Sequence, residues 1–250
     1  IWIAKGNLSY SYTLNFLPLT DPYLMLQGVL AGQSPERIGL IGVAIVLIFY
    51  LLVGGRVYCS WVCPVNAATD LAAWLRRKLG LKGSARVSRK MRFWILGMTL
   101  VLSVVTGTIA WEMVNPVSML HRGLIFGFGL AWAVVLAVFL FDLFVVSRGW
   151  CGHLCPVGAF YSLLGRWRLP CVSARQREAG DDCMDCYTVC PEPSVIKIPL
   201  KGEGSPVVAS SQCTSCGRCI DVCSKNVFVF TSNHLSKHPI EVQTGAAAPK

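Results

Sequence analysis

The chain has 250 residues and a formal net charge of +10, yet 54% of it is apolar and only 14% charged, which is not the composition of an ordinary soluble domain. A mean hydropathy of +0.53 points to a membrane. Residues 1–170 hold 15 Lys/Arg against 5 Asp/Glu, whereas residues 171–250 hold 8 of each, so the basic excess lies between the apolar segments. That placement fits anchoring at a membrane face better than a nucleic-acid surface. Twelve cysteines would permit a secreted disulfide scaffold, but they come in C-x2-C and C-x3-C clusters typical of metal ligation.

Residues 1–35 begin Ile1-Trp2-Ile3 and are neutral overall, and they are expected to be the stub of a first span followed by an external segment. Spans are expected at about 38–55, 93–111 and 123–147, the last interrupted only by Asp142. The loop 55–92 carries nine Lys/Arg and one acid, which by the positive-inside rule places it and everything after 148 in the cytoplasm. Within it, Pro64 opens a helix to about Leu79, stopped by Gly80. Val65, Ala68, Leu71, Ala72, Leu75 and Leu79 share one face, expected to rest on the inner leaflet.

The chain repeats itself. Asp21-Pro22-Tyr23-Leu24-Met25-Leu26 matches Asn115-Pro116-Val117-Ser118-Met119-Leu120 at an offset of 94, and Cys59-x3-Cys63-Pro64-Val65 matches Cys151-x3-Cys155-Pro156-Val157 at an offset of 92. Each half reads as span, D/N-P turn, span, C-x3-C-P, which brings the expected spans to four with the first largely missing. Repeat symmetry would gather Cys59, Cys63, Cys151 and Cys155 at one site. They could form a metal or iron–sulfur site, redox-active dithiols, or simple apolar packing.

Beyond residue 170 the signal is sharper. Cys213-x2-Cys216-x2-Cys219-x3-Cys223 has bacterial ferredoxin spacing, and Cys183-x2-Cys186-x3-Cys190-Pro191 supplies the last three cysteines of a second run. Crossed ligation would put Cys213, Cys216, Cys219 and Cys190 on one cluster and Cys183, Cys186 and Cys223 on the other. Zinc prefers two C-x2-C pairs and fits this spacing less well. Gly180 stands where the first cysteine of the second cluster is missing. Cys171, Asp181 or Asp182 could complete that site, or it could hold a three-iron cluster. No C-x-x-C-H occurs and no His lies within an apolar run, so haem is not expected.

The motifs Cys59-Ser-Trp-Val-Cys63-Pro-Val-Asn, Trp111-Glu-Met-Val-Asn-Pro-Val-Ser, Gly149-Trp-Cys-Gly-His-Leu-Cys-Pro-Val-Gly, Cys190-Pro-Glu-Pro and Cys213-Thr-Ser-Cys-Gly-Arg-Cys resemble the NapH family of quinol dehydrogenase membrane components serving periplasmic nitrate reductases. The resemblance extends over nearly the whole chain. It implies a mainly α polytopic membrane helix bundle (36–170), a two-cluster 4Fe-4S ferredoxin-like α+β domain (171–232), a polar tail (233–250) and residence in a bacterial inner membrane. Membrane lipid, quinol, a periplasmic NapG-like iron–sulfur protein and a downstream reductase would be the partners.

Quinol oxidation also needs proton acceptors, for which Asp142, within a span, and Glu112, at the end of one, are the candidates. The competing function is a maturation or assembly factor that supplies electrons or handles metal for a periplasmic metalloenzyme.

Overall fold

The computed structural model describes residues 4–6, 11–13, 17–81, 85, 87–127, 131–174, 183–201 and 205–232. The chain divides into two compact units, residues 1–168 with 211–216, and residues 169–210 with 217–250. Gly180, Asp181, Asp182 and the polar tail from residue 233 lie outside the described residues.

The first unit opens with a three-stranded antiparallel sheet, β1 (Ala4–Gly6), β2 (Ser11–Thr13) and β3 (Leu17–Leu19), in which Ser11 pairs with Leu19 and Gly6 with Ser11. Helices α1 (Pro22–Leu30), α2 (Arg37–Val53), α3 (Val65–Lys78), α4 (Met91–Thr106), α5 (Pro116–Phe126), α6 (Ala131–Phe144) and α7 (Pro156–Leu164) follow. Asp21 and Asn115 cap α1 and α5 alike: each precedes a Pro at the first helical position, and each side chain accepts the N–H two residues on, from Tyr23 and Val117. The core joins Tyr23, Tyr50, Leu96, Trp111, Val157, Ala159 and Tyr161. Its aromatic centre sets Tyr161 edge-on to Tyr50 and stacked on Tyr58, each at 5.0 Å between ring centroids.

The second unit pairs β4 (Pro170–Ala174) antiparallel with β5 (Phe228–Ser232), Cys171 opposite Thr231. It adds the short helices α8 (Asp185–Val189), α9 (Ser194–Leu200) and α10 (Arg218–Asp221), with α8 packed on α10.

Two expectations are corrected here. No described helix is long and apolar enough to cross a membrane. The apolar runs are cut by glycines whose positive φ ends each helix: Gly54 (φ 118) closes α2 at 17 residues, and Gly107 (φ 65) closes α4 at 16. The run 123–147 is divided between the end of α5, closed by Gly127 at φ 95, and the 14 residues of α6. At about 1.5 Å per residue these helices reach roughly 26, 24 and 21 Å, short of the ~30 Å hydrocarbon layer. The polytopic four-span bundle and the multi-pass inner-membrane location with a cytoplasmic iron–sulfur domain are therefore not supported.

The charge reading changes with them, because Arg56, Arg76 and Arg92 of the basic loop are buried and donate to backbone carbonyls rather than facing solvent. The buried face of α3 also differs from the sequence reading. Val65, Thr69, Ala72, Ala73 and Arg76 are buried on the helix that packs against α6, whereas Leu71 and Leu79 are exposed.

Gly55 carries a close approach that no side chain tolerates. A Cβ there would sit 1.7 Å from the carbonyl oxygen of Tyr161, and backbone cannot yield as a side-chain tip can. Gly55→Ala is expected to destabilise the first unit by about 3 kcal/mol or more, read as a fall in thermal midpoint.

Candidate iron–sulfur and four-thiol site

Both C-x3-C-P motifs fold into the same local structure. Tyr58–Val62 and Trp150–Leu154 each form one wide helical turn, closed by Cys63 N–H on Tyr58 O at 3.0 Å and by Cys155 N–H on Trp150 O at 2.9 Å. The following proline bars the helical conformation to the residue before it, so Cys63 (ψ 117) and Cys155 (ψ 114) turn extended and end each turn at the cysteine. The sequence repeat is thus a repeat of backbone geometry.

The two turns face one cavity. It is lined by Cys59, Cys63, Cys151 and Cys155, by the capping pair Asp21 and Asn115, and by Tyr58, Trp111 and Trp150. Its empty space is about 530 Å3, counting the open mouth. Trp111 stacks on Trp150 at 6.4 Å, and the buried indole Nε1 of Trp111 has no hydrogen-bond partner among the described residues.

Burial pushes the Cys63 thiol up, raises Cys155 to about 12 and lifts Cys151 well above the ordinary range, with the neighbouring thiols adding to each shift. Such thiols are neutral at pH 7 unless a bound cation balances the thiolate charge. Among the described residues no three His, Cys, Asp or Glu side chains converge closely enough to hold a single metal ion. Four thiols lining one cavity are a donor set of the kind that ligates an iron–sulfur cluster.

The ferredoxin cysteines fall in both units. In the second unit Cys186, at the start of α8, is raised first by burial, with the Cys223 and Cys183 thiols adding to the rise. Cys223 also accepts the N–H of Val227 at 3.4 Å. Cys219 is buried on α10, and Cys190 ends α8 in an extended conformation ahead of Pro191. Cys171 is buried in β4 and its thiol donates to Thr231 O at 3.6 Å.

Cys213 and Cys216 belong to the first unit, on a loop whose successive carbonyls are all engaged. Gln212 O accepts from Arg56 at 2.8 Å, Cys213 O from Arg168 at 3.3 Å, Thr214 O from Ser60 at 2.8 Å and Ser215 O from Trp61 at 3.4 Å. Ser60 and Trp61 are the residues between Cys59 and Cys63. The first C-x3-C turn therefore holds the ferredoxin loop directly, which no spacing rule in the sequence announces. Arg56 also donates to Cys151 O, and Arg92 to Gly152 O and to the Gln212 side chain.

The two acids singled out by sequence have different surroundings. Asp142 is fully buried, accepts the Trp150 N–H at 2.9 Å on Oδ1, and leaves Oδ2 without a hydrogen-bond partner among the described residues. It lines neither cavity described here. Arg148 pairs with Asp70 at 2.9 Å. Glu112 pairs with Arg122 at 3.3 Å and lines an outer groove. The sequence reading missed Asp21, which lines both the thiol cavity and that groove and also accepts the Tyr161 hydroxyl at 3.3 Å. The signal was present in the D/N-P repeat, read only as a turn.

A family model described as a 4Fe-4S binding domain matches residues 38–82 and 128–170, the two stretches that carry the C-x3-C-P turns. A second, a 4Fe-4S dicluster domain, matches 181–227. With these cysteine sets the chain is of the iron–sulfur electron-transfer class. The methylamine utilization ferredoxin-type protein MauN of Paracoccus denitrificans is 56% identical over 92% of this chain and 82% of its own length. The ferredoxin-type protein NapH of Escherichia coli is 49% identical over 93% of this chain and 82% of its own. The regulatory protein NosR of Stutzerimonas stutzeri is 28% identical over 76% of this chain and 26% of its own length. No solved structure matches. The chain belongs to the NapH and MauN family of ferredoxin-type proteins.

Burial raises the Asp142 carboxyl to about 6 from its ordinary 3.8, against the Trp150 N–H bond and the positive charges of Arg148 and Arg76. An acid that holds its proton more tightly when folded contributes most stability below its unfolded pKa. That contribution is lost as pH rises from about 4 through about 6. Asp142→Asn, whose amide oxygen still accepts from Trp150, is expected to match the parent near pH 4 and to exceed it at pH 7 by up to about 3 kcal/mol, checked by denaturant unfolding at both pH values.

Proposed function

We propose that this protein takes electrons from a quinol and passes them through its iron–sulfur centres to a partner iron–sulfur protein of the NapG type, which feeds a reductase such as nitrate reductase. The observation that carries this reading is the single cavity formed by all four C-x3-C thiols, with Asp21 in its wall. Cys59, Cys63, Cys151 and Cys155 would hold one centre, and the ferredoxin cysteines two more, the second short of a fourth cysteine. A bound 4Fe-4S cluster supplies reversible one-electron transfer.

The chain's own residues do the rest. Ser60 and Trp61 fix the Thr214 and Ser215 carbonyls between Cys213 and Cys216, leaving a path of one hydrogen bond and a few covalent bonds between the two cysteine sets. The buried guanidinium groups of Arg56 and Arg92 donate to the Cys151 and Gly152 carbonyls and so hold the second C-x3-C turn. The engagement of Cys171 with Thr231 favours an incompletely cysteine-ligated second ferredoxin cluster, as a three-iron or atypical centre.

A second reading rests on the identity of the relatives. A protein named for methylamine utilization matches at 56%, above NapH, so electrons could serve the maturation of another metalloenzyme instead of nitrate reduction.

Anaerobic purification with iron and sulfide analysis, followed by EPR before and after addition of a soluble quinol, tests the proposal. Clusters reduced by quinol are expected. Clusters that respond to dithionite but not to quinol would favour the maturation reading. Serine substitutions of Cys59, Cys63, Cys151 and Cys155 are expected to be non-additive, each single change costing nearly as much quinol-driven reduction as any pair. Full activity in a single variant would return these cysteines to packing.

A further inference from the structure

Asp21 stands in the wall of two cavities. On one side are the four thiols; on the other is the larger outer groove, about 1340 Å3 of empty space counting its open mouth. Leu24, Met25, Val29 and Ile109 make the groove largely apolar; three acids, Asp21, Glu36 and Glu112, line it, and Asp21 and Glu112 are the two beside the turn that also serves the thiol cavity. Neighbouring residues of one tight turn serve both spaces, Trp111 the thiol cavity and Glu112 the groove. Only one oxygen of Glu112 is engaged, with Arg122; the other, Oε2, is buried without a hydrogen-bond partner among the described residues. Burial raises the Asp21 carboxyl, the nearby Glu112 adds to the rise, and the bonds from Tyr23 and Tyr161 oppose it. A carboxyl in the wall of an apolar groove, held by only a few hydrogen bonds, is placed to accept a proton from a bound hydroxyl.

We propose that the outer groove binds the quinol head group, with Asp21 and Glu112 as its two proton acceptors. This deepens the quinol reading above and rests on it. The apolar wall accommodates a ring and the two carboxylates meet its hydroxyls, the combination expected of a small-molecule site. Oxidation breaks two O–H bonds; one proton goes to Asp21 and one to Glu112. The two electrons leave singly for two one-electron iron–sulfur acceptors, and the ring becomes the quinone. The thiol cavity is unsuited to the head group, because its wall is committed to the four cysteines. The repeat itself marks the specialisation: the position equivalent to Asp21 is Asn115, an equally good helix cap that takes no proton.

For the same reason Asp21→Asn is a clean test, since the chain already uses Asn to cap a helix in this setting. Full-length protein with its clusters would be mixed anaerobically with decylubiquinol and followed by EPR. A fluorescent hydroxyquinoline N-oxide would serve as a redox-inert probe of head-group binding. Asp21→Asn is expected to slow quinol-driven reduction roughly 100-fold or more while leaving the dithionite-reduced spectrum unchanged, and Glu112→Gln to slow it as well. Met25→Trp, which narrows the groove without removing either acid, is expected to abolish probe binding. Wild-type rates in Asp21→Asn, or probe binding unaffected by Met25→Trp, would overturn the assignment. Should the wild-type clusters ignore quinol, the functional reading fails by itself. Probe binding then decides the groove separately: binding lost in Met25→Trp retains it as the head-group site, and no binding to the wild type removes it.

Discussion

Four consecutive carbonyls, from Gln212 to Ser215, are each held by a side chain of the first unit, and the arrangement of both cysteine sets depends on that clasp. Two of the donors, Arg56 and Arg168, are buried, and a buried guanidinium is costly unless its N–H groups find acceptors. The loop's carbonyls are those acceptors, so loop and arginines satisfy one another. Ser60 and Trp61 extend the clasp into the first C-x3-C turn, and Arg56 reaches on to Cys151 O in the second. Removing a donor would strand a carbonyl and loosen the backbone between Cys213 and Cys216.

Around that clasp the duplicated halves meet with their differences concentrated where chemistry needs them. Cysteines, prolines and wide turns are the same on both sides. Asp21 and Asn115 cap their helices identically but differ in their capacity to carry a proton, and Tyr58 in the first wide turn stands where the second has Trp150. A symmetric scaffold thus presents one ionisable carboxyl to the thiol cavity. Burial then acts on that carboxyl and on the thiols in the same sense, disfavouring charge in both.

The two corrections share a cause. An uninterrupted apolar run is compatible with a span or with a shorter helix ended by its own glycines, and hydropathy cannot see the positive φ at Gly54, Gly107 and Gly127. Likewise a run of arginines reads as a solvated face until the fold buries it. Arg76 was counted toward orientation, yet it is 5% exposed and spends its guanidinium on the carbonyls of Asp142 and Leu143 at the end of α6.

What the amino-acid sequence determined by itself was local and repeated: the C-x2-C and C-x3-C spacings, the proline that ends each wide turn, the Asp or Asn cap before each Pro, and the family that these motifs define. These are legible because each depends on a few neighbouring residues and the backbone angles they allow. Tertiary structure decided which distant residues share a cavity. It placed Asp21 beside the four thiols, set Trp61 against Ser215, buried Arg92, and gave Asp142 to the Trp150 N–H rather than to either cavity. Those outcomes follow from tertiary packing, which joins residues as far apart as Trp61 and Ser215, and in which burial and hydrogen-bond satisfaction select partners that spacing along the chain does not encode.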